Sequence, residues 1–157
     1  MTHPTPELAA AGPTPKELRN DIVEARAEFQ AALHEATRAG TWGVAPPSAP
    51  SGEESWSPRQ HAEHAIRAQM IHTSFISQAC GYGPREVPSI EAPTPADAAA
   101  ELTRWGHRSD EVLRHVQAHE LEKMTETRHG TRTVAELLQS LAAHLREHAE
   151  PIRTRSR

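Results

Sequence analysis

Two histidines near the C-terminus, His144 and His148, stand four residues apart in the stretch Leu137-Leu138-Gln139-Ser140-Leu141-Ala142-Ala143-His144-Leu145-Arg146-Glu147-His148. The stretch reads as a helix, so the two imidazoles share one face, a turn apart. Leu137 and Leu141 occupy that face, and Ile152 continues it. Imidazoles that point where leucines point are either buried polar groups needing partners or two ligands of one metal ion. We take the metal reading, which asks for a third ligand. His61 and His64 offer themselves from an earlier helix, three residues apart on nearly one face. His115 and His119 form another i, i+4 pair, which a histidine-rich surface also explains.

Other metal chemistries are excluded by residue type. The chain has one cysteine, Cys80, so an internal disulfide and the two-cysteine zinc sites are ruled out. The only Glu-x-x-His spacing is Glu126-Thr127-Arg128-His129, in an expected turn, whereas carboxylate di-iron bundles need two such motifs facing inward. His119-Glu120 is followed by Leu121-Glu122-Lys123, so the His-Glu-x-x-His protease motif is absent. Three histidines on one ion would leave coordination positions open, as a reactive metal requires. Such an ion lowers the pKa of a coordinated water or thiol. No extra general base is evident.

The elements that must position these histidines announce themselves by their starts. Thr14-Pro15-Lys16-Glu17, Ser57-Pro58-Arg59-Gln60, Thr94-Pro95-Ala96-Asp97 and Thr133-Val134-Ala135-Glu136 each place a capping hydroxyl three residues before an acid or amide. The two side chains satisfy backbone N–H groups that the helix leaves orphaned, and proline at the first position has none to lose. Apolar stripes with helical spacing follow each start: Leu18, Ile22, Ala25 and Phe29 in the first, for example, and Ala98, Leu102, Trp105, Ser109 and Leu113 in the third. The first helix is expected to end near Gly40, the second at Cys80-Gly81, and the third between Leu121 and Thr127, with a turn at His129-Gly130. Gly106 should weaken the third helix locally. A long loop, Thr41 to Ser55, is bracketed by Trp42 and Trp56, and loops of this length often lie over a functional site. Trp56 and Trp105 read first as core or loop anchors, and Cys80 as a small buried filler.

Four one-faced helices are buried most economically as an all-α four-helix bundle. The domain spans residues 14–153, between an N-terminal tail over 1–13 and a basic tail over 154–157. A plain up-down-up-down order runs the fourth helix parallel to the second. It therefore sets His144 and His148 at the opposite end of the bundle from His61 and His64. A metal site shared between these helices needs a different order.

The segment Trp56-Ser57-Pro58…His64, with histidine eight positions after tryptophan, and His144-x-x-x-His148-Ala149-x-x-Ile152 together resemble the signature segments of the DinB/YfiT-like family of metal-dependent bundles. The resemblance runs from the first helix to the fourth, in order and spacing. That family includes bacillithiol transferases and mycothiol-dependent maleylpyruvate isomerases. The resemblance implies a four-helix bundle with an unusual connection order, and a divalent ion held by His64, His144 and His148, with His61 the alternative to His64. It implies a metal-dependent transferase using a low-molecular-weight thiol, or a related hydrolase. A non-catalytic metal-binding or dimerising stress-response bundle is the other reading. Imidazole suits zinc and nickel, and iron as well. The expected partners are a small-molecule substrate and a second copy in a homodimer.

Composition bounds the rest. The formal charge of −4 over 157 residues, with no basic block beyond Arg153-Thr154-Arg155-Ser156-Arg157, gives no support for nucleic-acid binding. No apolar run approaches the ~20 residues of a membrane span, and no secretory pattern opens the chain. Cytoplasmic residence is the default expectation.

Overall fold

The computed structural model describes residues 12–47 and 51–156. The tail expected over residues 1–13 lies outside them except for Gly12 and Pro13. Four long helices make up the body: α1 (Pro15–Ala36), α2 (Pro58–Ala79), α3 (Pro95–Leu113) and α4 (Val134–Arg155). All four expected capping boxes form. Thr14, Ser57, Thr94 and Thr133 each accept the backbone N–H of the third helical residue, and Glu17, Gln60, Asp97 and Glu136 each reach back to the cap N–H. A cap of this kind contributes about 1 kcal/mol. Four of them set the entry of every helix from local sequence alone. α1 ends at Ala36, one turn before Gly40, and α4 runs on through Thr154 and Arg155.

The connection order departs from plain bundle topology. α4 packs between α1 and α2, and α3 packs between the same two helices from the other side. Side-chain bonds fix the directions. Arg26 of α1 reaches Asp110 of α3, and Trp42 just beyond α1 donates to the carbonyl of Ala92 just before α3, so α1 and α3 are antiparallel. Thr73 of α2 meets Ser109 of α3, and Ala92 N–H donates to Glu63 early in α2, so α2 and α3 run parallel. Thr41, past the end of α1, donates to the carbonyl of Arg155 at the end of α4, so these two also run parallel. The bundle is therefore up, down, down, up. The crossover is the segment between α2 and α3, which returns along the length of the bundle. At ~3.3–3.6 Å per residue it easily spans a helix that rises ~1.5 Å per residue.

This order makes α2 and α4 antiparallel neighbours. The start of α2 thus meets the later half of α4, and the histidines expected at opposite ends share one end. Leu18, Ile22, Phe29, Leu33, Ile66, Ile76, Leu102, Leu113, Leu138, Leu141, Leu145 and Ile152 fill the core between the helices.

α3 stops at Leu113, earlier than the apolar stripe predicts. Val116 is still buried, but by a turn, and Glu120 is recruited to a separate box in which its carboxylate accepts the Gln117 N–H. A short 3₁₀ turn, Ala118–Glu120, follows. His115 and His119 consequently do not share a helix face, and both are exposed. The i, i+4 pairing read from sequence does not exist. Beyond it, β1 (Met124–Thr127) and β2 (Gly130–Thr133) form an antiparallel hairpin where only helix and turn were expected. Four threonines in this stretch, at 125, 127, 131 and 133, favour extended backbone. Gly130 supplies the positive φ of +100° beside the two-residue turn Arg128-His129.

Candidate metal centre

The capping box at Ser57 starts α2 so that His61 and His64 lie in its first two turns, beneath the loop that follows α1. His61 and His148 are buried, and His64 and His144 are half-buried. His144 Nε2 lies 3.2 Å from His64 Nε2 and 3.2 Å from His148 Nε2. One ligand nitrogen from each of the three falls within 4.8 Å of the others. His64, His144 and His148, the set that the family resemblance implies, are thus brought together. His61 lies outside that group. Its Nδ1 faces the other ring nitrogen of His148, Nδ1, at 2.8 Å.

Two of the three separations suit one divalent ion. Two nitrogens at about 2.1 Å from a common ion, and 3.2 Å from each other, subtend about 100° at it, between the octahedral and tetrahedral values. Without an ion the cluster is poorly satisfied. One imidazole nitrogen carries either one lone pair or one N–H. His144 Nε2 therefore cannot serve two neighbouring nitrogens with good geometry.

Electrostatics keep these rings ready to ligate. Burial, reinforced by neighbouring imidazoles, pushes His148 down to about 3 and His144 down to about 4. Burial also lowers His64 and His61, with the carboxylate of Glu53 acting the other way on both. Neutral imidazole is the form that binds metal.

Trp56 forms the wall behind the cluster. It stacks on His148 at 6.0 Å between ring centroids and sets its edge against His61 and His64 at 5.3 and 5.0 Å. Trp42, by contrast, is a loop anchor through its bond to Ala92. Next to His61 and His148 lies a cavity of about 340 Å³, walled by Glu53, Trp56, Glu147, Pro151 and Arg155.

Two neighbours were not singled out from sequence. Glu53 Oε1 stands 3.9 Å from His148 Nε2, the nitrogen that faces the cluster. The signal for it was weak: an acidic pair in the long loop, three residues before Trp56. His72, two turns along α2 from His64, lies 5.8 Å from His144 between ring centroids. Its Nδ1 donates to the Ala68 carbonyl and its Nε2 meets Ser140 Oγ, so both its nitrogens are occupied. Cys80 is buried beside Glu120, and its thiol is pushed up to about 11 by burial and that carboxylate, which removes it from nucleophilic chemistry near neutral pH.

A family model described as the DinB superfamily matches residues 22–152. Searches of curated proteins and of solved structures return no match. No helix among the described residues is long and apolar enough to cross a membrane.

Proposed function

We propose, for a chain that belongs to the DinB superfamily, that His64, His144 and His148 hold one divalent ion and that the protein is a transferase moving a low-molecular-weight thiol onto a small electrophile. The supporting observation is the convergence of three neutral imidazole Nε2 atoms, with two of the separations at 3.2 Å. A divalent ion bound there, zinc or nickel foremost and iron next, would supply the positive charge that stabilises a thiolate near neutral pH.

The chain's own groups account for the remainder. Trp56 packs against His64 and His148 on one side, and His64 and His144 stay half-open on the other. Glu53, with Oε1 3.9 Å from His148 Nε2, is placed to accept the proton that leaves the thiol sulfur. The freed sulfur pair then forms the bond to the electrophilic carbon, and the displaced group leaves with its bonding pair. The adjacent cavity has room for the non-reacting part of a small substrate. A small-molecule substrate and a homodimer belong to the same proposal.

Glu53 also motivates a second reading. Its carboxylate drawn in as a fourth ligand would close the site, as in a non-catalytic metal-binding bundle. The test is consumption of low-molecular-weight thiols against a panel of electrophiles, with zinc- and nickel-loaded wild type, Glu53→Gln and His144→Ala. Thiol transfer by wild type, strongly reduced in Glu53→Gln with its metal retained, supports the transferase. Full metal loading with no thiol consumed supports the closed site.

A further inference from the structure

We propose that His61 is a positioning residue: its Nδ1 accepts the Nδ1–H of His148 and so holds the His148 ring with its Nε2 lone pair aimed at the ion. This rests on the reading of His64, His144 and His148 as the metal ligands. The geometry points to it through three facts. The two Nδ1 atoms are 2.8 Å apart, a normal hydrogen-bond length. Both rings are buried, at 5% exposure for His61 and 1% for His148, so no bulk water competes for the bond. And the opposite nitrogen of His148 is the one that meets His144 at 3.2 Å.

The tautomers then follow by elimination. A neutral imidazole has one N–H and one lone pair. If His148 Nε2 offers its lone pair to a cation, its proton sits on Nδ1. The atom facing that proton, His61 Nδ1, must be the acceptor, so the His61 proton sits on its own Nε2. A ligating histidine is ordinarily oriented by a group accepting its second N–H, usually a carboxylate or a carbonyl. Here a second imidazole, one turn before the His64 ligand on α2, takes that place. Trp56 packs its edge against His61 at 5.3 Å and its face on His148 at 6.0 Å, which limits rotation of both rings. The sequence pair His61-x-x-His64 therefore divides its labour. His64 faces the ion, and His61 faces the back of another helix's ligand.

The experiment compares wild type with His61→Gln, which keeps an acceptor, and His61→Phe, which keeps the volume and removes it. Zinc affinity is read by competition with a chromophoric chelator, and cobalt(II) binding by its visible absorption. Wild type and His61→Gln should agree within several-fold. His61→Phe should bind zinc roughly 10–100-fold more weakly and show an altered cobalt spectrum, with its helical circular dichroism unchanged. Equal zinc affinity in all three proteins would overturn the proposal. A second readout is independent of metal: ¹⁵N chemical shifts of the imidazoles in the metal-free wild type. They should show His148 as the Nδ1–H tautomer, and the Nε2–H tautomer would overturn the assignment. If wild type takes up no metal, the metal reading fails, and the tautomer measurement still decides the His61–His148 bond.

Discussion

Two polar clusters lie within this bundle, and they are built on opposite principles. Where α1, α2 and α3 meet, the Arg26 guanidinium donates to both oxygens of Asp110 at 2.9 and 3.1 Å, and through Nε to Gln69 Oε1 at 2.9 Å. Donor faces acceptor and cation faces anion. Within this cluster Gln69 Nε2 alone is buried with no partner among the described residues. Where α2 meets α4, four imidazoles of one chemical type face one another, and the contacts at His144 Nε2 cannot both be good hydrogen bonds. The first cluster pairs its guanidinium within the protein and ties three helices together. The second offers three imidazole nitrogens that could hold a cation. Buried polar groups of the first kind report on stability, and those of the second on ligand binding.

The sharpest way to break this contrast is to add metal. At zinc a thousandfold above its dissociation constant, wild type should gain about 4 kcal/mol of stability. His144→Leu should gain nothing, while its metal-free stability stays within about 1 kcal/mol of wild type, because half-exposed His64 can turn to water and buried His148 keeps its contact with His61. Asp110→Leu should show the full metal-induced gain. Thermal unfolding with and without zinc separates the three.

Acid offers the next test. His144 and His148 titrate at about 4 and about 3 in the folded chain and near 6.5 when unfolded. Between those values the unfolded chain binds more protons, so stability rises with pH. Their contribution is whole above pH 6.5 and is lost progressively as pH falls toward 4 and then 3. The metal-free protein should lose several kcal/mol over that window, roughly 3 of them through His144, read from denaturant midpoints. His144→Leu should lose less.

Asp110→Ala follows, at about 2 kcal/mol. It strands a mostly buried guanidinium, softened by the half-exposed position of Asp110. The effect should be the same with and without zinc.

Gly106→Ala is the smallest. Gly106 lies under Arg26, and a Cβ there would come within 2.7 Å of Arg26 Nε. Alanine ordinarily gains ~1 kcal/mol over glycine inside a helix. Here the locked guanidinium must shift, and we expect a net loss of about 1 kcal/mol.

Gly106 also shows where the sequence stops being legible. Its cost to the helix can be read from the chain, but its reason, a side chain arriving from α1, cannot. The same division runs through the fold. The four helix starts are written in local chemistry, and every capping box forms as spelled. The end of α3 is not, because Glu120 is used by Gln117 instead of by a continuing helix. The threonine-rich hairpin was missed because its strands are short and no apolar alternation marks them. His64, His144 and His148 were legible as a set through spacing and family resemblance. Their meeting depended on a crossover that no single residue announces. Glu53 and the bond from His148 to His61 lay beyond the sequence, since both rest on which side of an imidazole a neighbour approaches.

The central claim is that three imidazole nitrogens on α2 and α4 bind one ion. X-ray absorption at the zinc edge of the zinc-loaded protein tests it most directly. Each chain should hold one zinc tightly, with three histidine nitrogens at about 2.0–2.1 Å, falling to two in His64→Ala. A zinc shell of oxygen alone, or one unchanged by His64→Ala, would contradict it.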